Sequence, residues 1–163
     1  MKIRALKTCS SVALALVFCM SMTSMPVSGQ DSNGSKKLIG TWNVTVTRAQ
    51  APPGQPLSFP VVYSFLSGGI MLETGSASLF RTPGHGVWDR TSAHGYTAEL
   101  MFFRFSPDGQ YIGPQHVTLN IELAAGGNEL TATIAFDIID TAGNVVASGT
   151  ATATGQRMAL PSQ

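Results

Sequence analysis

From Leu38 to Arg157 the chain is a succession of eight runs in which apolar and polar residues alternate, each ended by turn-forming residues. A period of two marks a strand with one face buried. In the first run Trp42, Val44 and Val46 alternate with Asn43, Thr45 and Thr47. The runs cover residues 38–48, 61–66, 70–74, 86–92, 96–106, 111–124, 129–139 and 145–157, the sixth with a bend at Gly113-Pro114. Ser67-Gly68-Gly69, Ala93-His94-Gly95, Pro107-Asp108-Gly109, Gly126-Gly127-Asn128 and Thr141 to Asn144 separate them. Such residues supply the special backbone angles of tight hairpins. No stretch after residue 30 has a helical period, and there is no internal repeat. Consecutive strands with short links form an antiparallel meander, and closing it removes two exposed edges. The prediction is an all-β, eight-stranded antiparallel up-and-down barrel, whose interior is either filled or holds one small ligand.

Alternation assigns the lumen. Val117, Leu119, Ile121 and Leu123 face inward, as do Leu130, Ala132, Ile134, Phe136 and Ile138. In the last run Ala147, Gly149, Ala151 and Ala153 share a face against Ser148, Thr150, Thr152 and Thr154. A wall of Ala and Gly leaves room beside it, for a ligand or for Phe102 or Phe136 from across the barrel. Closure makes the first and last strands neighbours, so Trp42 and Arg157 are expected to plug one end. The segment from Ala49 to Pro60, with four prolines, is expected to be a loop without ladder hydrogen bonds, at the rim of the other end.

The N-terminus reads as an export signal. Lys2, Arg4 and Lys7 precede the apolar run Val12 to Met20, and Val27-Ser28-Gly29 fits a small-residue cleavage site. Residues 1–29 are thus expected to be removed, leaving a flexible leader at 30–37, one barrel domain at 38–158 and a tail at 159–163. Both cysteines, Cys9 and Cys19, leave with the signal. The mature chain then has no disulfide, no Cys-ligated metal site and no thiol nucleophile. It keeps seven basic residues against nine acids, a balance of −2 without a basic patch. Nucleic acid is an unsuited partner, and no mature segment reaches the ~20 apolar residues of a membrane helix. The expected location is secreted or periplasmic.

Leu38-Ile39-Gly40-Thr41-Trp42, followed by eight strands and the terminal Arg157, resembles the calycin group of lipocalins, fatty-acid-binding proteins and avidins. The segment Arg81 to Trp88 (RTPGHGVW) with the Pro107-Asp108-Gly109 turn is similar to small exported bacterial proteins with a lipocalin-like barrel. The resemblance implies a barrel carrying a small hydrophobic ligand. The C-terminal helix of lipocalins has no counterpart after Arg157, which speaks against lipocalin receptor binding. Allene oxide cyclase and dirigent barrels share size and architecture, which adds a cyclase or isomerase alternative.

The candidate catalytic residues are His85, Glu99 and Arg104. His85 lies between two glycines, where backbone can approach a ligand, and its imidazole titrates near neutrality. An inward Glu99 would be a buried carboxylate suited to proton transfer. Arg104 can hold an anionic head group bidentately. Tyr63, His85, Trp88, Tyr96, Phe102 and Phe136 form the expected ligand-binding set. His85, His94 and His116 are too dispersed for a metal site, the Gly-rich turns precede no helix that would bind phosphate, and no cofactor is implied. The leading expectation is a barrel that binds a small apolar molecule in its lumen. The alternatives are a cofactor-free isomerase or cyclase, and a filled barrel acting through its outer surface. Nothing in the sequence specifies a subunit count.

Overall fold

A computed structural model describes residues 37–160 except positions 52 and 78. The expected export signal, its cleavage site and most of the leader and tail lie outside the described residues. The strands are β1 (Gly40–Arg48), β2 (Ser58–Leu66), β3 (Ile70–Gly75), β4 (Gly84–Arg90), β5 (Gly95–Phe105), β6 (Tyr111–Leu123), β7 (Glu129–Ile139) and β8 (Val145–Arg157). Each pairs antiparallel with its neighbours in chain order, and β1 pairs with β8 to close the barrel. The fold is the eight-stranded up-and-down barrel that the alternation implies, and it is compatible with a calycin-like fold.

The period-two pattern becomes two faces. Val44, Val61, Met71, Leu100, Leu119, Ile134 and Ala153 point inward and form one continuous core. Outside, the Thr residues of β1, β8 and β7 fall in register, Thr45 beside Thr154 beside Thr131 and Thr47 beside Thr152 beside Thr133. The outer wall of β2 to β5 instead exposes Leu66, Ile70, Leu72, Val87, Met101 and Phe103.

Two local irregularities follow from the sequence. Ile112 is the extra residue of a bulge: Arg104 pairs with Gly113 but Phe105 with Tyr111. Gly113, at φ +103, lies where a Cβ would sit 2.0 Å from the Ile139 carbonyl oxygen. The second concerns Pro60, expected in a loop. β2 instead starts at Ser58, with Pro60 paired to Thr45. Pro60 turns its carbonyl towards β3, where it accepts from the Ser76 N–H and hydroxyl. Its missing N–H faces the same side, just past the Gly75 end of β3, so the β1–β2 ladder loses no bond.

Odd strands end and even strands begin at one rim. Arg48, Gly75, Phe105 and Ile139 therefore ring one mouth, while Gly40 and Arg157 mark the opposite end. There the Trp42 indole is fully buried and donates to the Leu38 carbonyl at 3.0 Å. The Arg157 guanidinium lies 4.2 Å from the Trp42 ring. It donates from Nε to Gly127 O at 2.9 Å, from Nη1 to Ile39 O at 2.6 Å and from Nη2 to Lys37 O. Gly40 is required here twice over. Its φ is +140, and a Cβ would lie 2.6 Å from the guanidinium.

Candidate functional site

The half of the lumen beside the plug is occupied by a chain of buried aromatic rings. Tyr63, Phe65, Trp88 and Tyr96 meet edge to face, with ring centroids 6.1, 5.9 and 5.9 Å apart in sequence. The Trp88 Nε1–H is shared between Leu66 O and Ile70 O at 3.1 and 3.0 Å. Trp88 and Tyr96, expected to bind ligand, are thus parts of this packed floor and do not line the cavity above it. Their rings fill the space that alternation allotted to the lumen.

Above Tyr63 the packing stops. A cavity of about 380 Å³ opens toward the mouth, inside the range of about 300–1,000 Å³ for small-ligand sites. Phe59, Val61, Leu100, Phe102, Val117, Ile134, Phe136 and Ala151 form its apolar wall. The Phe136 ring covers Gly149, where a Cβ would sit 2.4 Å from it, so one Phe takes up the room beside the small-residue strand. The cavity remains, so the barrel is not filled. Gln50 and Gln55 of the loop after β1, and Ala77 and Phe80 of the segment after β3, reach its rim. The Pro-rich loop thus stands at the mouth, tied by Arg48 Nη1 donating to Pro56 O at 2.9 Å.

Of the expected site residues, Tyr63, Phe102, Phe136 and Arg104 line this cavity. His85 and Glu99 do not. Both are exposed on the outer wall, where His85 pairs across with Leu72 and Met101 and Glu99 with Val87. β4 begins at Gly84, so Gly84, Gly86 and Trp88 share one face and His85 the other. The glycines serve packing. A Cβ at Gly86 would lie 2.0 Å from Glu99 O and 2.6 Å from Leu100 Cα, so the absent side chain lets β4 approach β5.

The polar centre of the lumen is one that the sequence reading passes over. Glu73, 6% exposed, points inward from β3. Both its carboxylate oxygens accept from Arg81 Nη2, at 2.6 and 2.5 Å, and the Gly84 backbone donates to it as well. The Arg81 guanidinium lies 4.0 Å from the Phe102 ring. Gly75 and Gly84 make the room: a Cβ at either would come within 2.9 Å of a Glu73 oxygen. Burial raises the Glu73 carboxyl above its ordinary value, with the Arg81 charge and hydrogen bond pulling against it. Burial, and then the Glu73 charge, push the Tyr63 hydroxyl up, so it stays protonated at neutral pH.

Two further guanidiniums stand at the mouth. Arg48 lies 4.5 Å over the Phe59 ring. Arg104 donates from Nη2 to Ile112 O at 3.2 Å, while its buried Nε has no partner. Desolvation lowers the pKa of both. Among the described residues no group of three or more His, Cys, Asp or Glu side chains comes together, and no helix is long and apolar enough to cross a membrane. Compared with family models, curated proteins and solved structures, the chain finds no match.

Proposed function

We propose that this protein is a secreted or periplasmic carrier that binds one small, largely apolar molecule in the open half of its barrel. The observation that supports this most is the contrast within one lumen. Aromatic rings that meet edge to face below Tyr63 give way to a cavity of about 380 Å³ walled largely by aromatic and aliphatic groups. Binding there gains the burial of ligand apolar surface, about 25 cal/mol per Å² before association costs. The experiment is titration with neutral N-phenylnaphthylamine. Saturable, one-site fluorescence enhancement is expected, and Ala151→Phe, which fills the cavity, should abolish it. No enhancement, or enhancement indifferent to Ala151→Phe, rules the reading out. Native mass spectrometry of the exported protein adds a second check, since a retained ligand appears there as a mass increment.

The export part of the proposal rests on the basic, apolar and small-residue order of residues 1–29. Intact mass of the exported product should correspond to a chain starting near Gln30 and lacking both cysteines. A mass that includes Cys19 contradicts it.

One observation favours a second reading, a cofactor-free isomerase or cyclase. Glu73 is a buried carboxylate of raised pKa that faces a cavity able to hold a substrate. In this reading Glu73, rather than His85 or Glu99, takes a proton from a carbon acid and returns it elsewhere on the same molecule, while Arg81 holds the carboxylate in place. Deuterium uptake from D₂O into a lumen-bound cyclohexenone, lost in Glu73→Gln, supports this reading. Uptake equal in the two proteins excludes it.

A further inference from the structure

We propose that the ligand of the lumen is an anionic amphiphile, its carboxylate held at the mouth by Arg104 and Arg48 and its apolar tail directed inward past Phe102. This rests on the lumen-binding reading and specifies the ligand. Arg48, Arg81 and Arg104 all line the cavity, and among the described residues Glu73 is the one carboxylate that does. Glu73 is spent on Arg81, in the one ion pair among the described residues. Arg104 stands directly beside that pair, because Arg81 and Arg104 are bridge partners across the sheet. Two cations are therefore adjacent, and the protein supplies an anion to one of them.

The hydrogen-bond inventory points the same way. At the plug, Arg157 has a carbonyl for each of its three nitrogens. Arg104 has the Ile112 carbonyl for Nη2 and nothing for its buried Nε. A buried donor without a partner is costly, and in native structures it calls for a ligand, ion or water. Guanidinium Nε–H together with one Nη–H makes the planar fork that takes a carboxylate through two parallel bonds. Arg48 comes from β1, four strands around the ring from β5, so the two cations approach the mouth from opposite walls. Apart from Gln115 and the self-paired Glu73 and Arg81, the wall between them is aromatic and aliphatic, which suits a hydrocarbon tail and not a second charge. The Glu73 charge beside Arg81 repels an anion from the deeper position, so the head group stays at the rim.

The test is isothermal titration with sodium decanoate and with decanol, which share a tail and differ in head-group charge. On the wild-type protein decanoate should bind roughly ten- to a hundred-fold more tightly, the scale of hydrogen bonds to a charged group. In Arg104→Gln and in Arg48→Gln the decanoate affinity should fall toward that of decanol, while decanol is held as before. Equal wild-type affinities overturn the anionic inference and leave the lumen as a neutral apolar site. A preference for decanoate that persists in the double variant puts the charge recognition elsewhere and also overturns it. If neither molecule binds, the lumen-binding reading fails, and this inference with it. The wild-type comparison needs no variant, so an unstable Arg104→Gln protein does not protect the proposal.

Discussion

The two ends of this lumen use arginine in opposite ways. At the plug, Arg157 lies over the Trp42 ring and gives every nitrogen to a main-chain carbonyl. At the mouth, Arg104 keeps one carbonyl and leaves its buried Nε without a partner. The side chain is the same, the strands belong to one barrel, and both sites are partly desolvated. The difference teaches what each end does. A guanidinium with every nitrogen bonded inside the protein closes a structure. One whose donors are left over, beside an apolar cavity, is prepared for something that arrives from outside.

The largest effect that can break this comparison lies at the plug. Trp42→Ala should cost about 3–5 kcal/mol, because a fully buried indole is lost from a packed end. Equilibrium urea unfolding measures it, and a cost near that of a surface substitution would show that the plug is not structural. Next comes the lumen ion pair. Arg81→Met leaves Glu73 as a buried carboxylate without its partner and should cost about 3 kcal/mol at neutral pH, whereas Glu73→Leu combined with Arg81→Met should recover most of it. A double variant as unstable as the single one would contradict this reading of the pair.

Glu73 also sets a pH dependence of known sign. Its carboxyl is raised, by burial first, with the Arg81 pairing only partly opposing. A raised folded-state pKa stabilises the fold below the unfolded-state value of about 4.3, and that contribution is lost as the pH climbs through the folded-state value. Wild-type stability measured against Glu73→Gln should therefore decline as the pH rises from about 4. A difference that grows over that range would mean that Arg81 outweighs burial.

The smaller effects compare the two arginines directly. Arg157→Met removes charge-assisted bonds to three carbonyls and should cost about 1.5–3 kcal/mol. Arg104→Met gives up one such bond and relieves an unpartnered donor, so it should stay within about 0.5 kcal/mol of wild type. Equal losses at the two positions would erase the contrast on which the functional reading stands.

Much of this architecture is legible in the chain because a period of two is a strong signal wherever one face is polar. On β8 the Ala and Thr positions alternate without exception from Thr150 to Thr154, and the observed faces follow them. Trp42 and Arg157 become neighbours from closure alone. The phase is harder to read where both faces are apolar. Val87 and Met101 are exposed, so the strands on either side of His85 and Glu99 look buried from both sides. Parity still carries information there: His85 is three residues from Trp88 and Glu99 three from Tyr96 and from Phe102, so each must face away from its buried neighbours. Glu73 is hidden for the opposite reason. A lone acid on a short strand reads as a solvent-facing residue, and its partner, Arg81, comes from the segment between β3 and β4. The signal that could have revealed it is the pair Gly75 and Gly84, which leave room on both sides of its carboxylate. Arg104 is recognisable in the sequence as an anion-holding group, but its unpartnered Nε is a feature of packing that no residue pattern announces.

The most direct test of the division between a closed and a receptive end is methyl NMR of the protein titrated with sodium decanoate. Shifts should concentrate on Val46, Ile112, Val117, Ile134 and Ile138, which line the cavity. The methyls of Leu38, Leu123 and Leu130, in the buried core and away from the cavity lining, should stay in place. Shifts confined to Ile70, Leu72 and Val87 on the outer wall, or spread evenly through both halves of the lumen, would contradict the account.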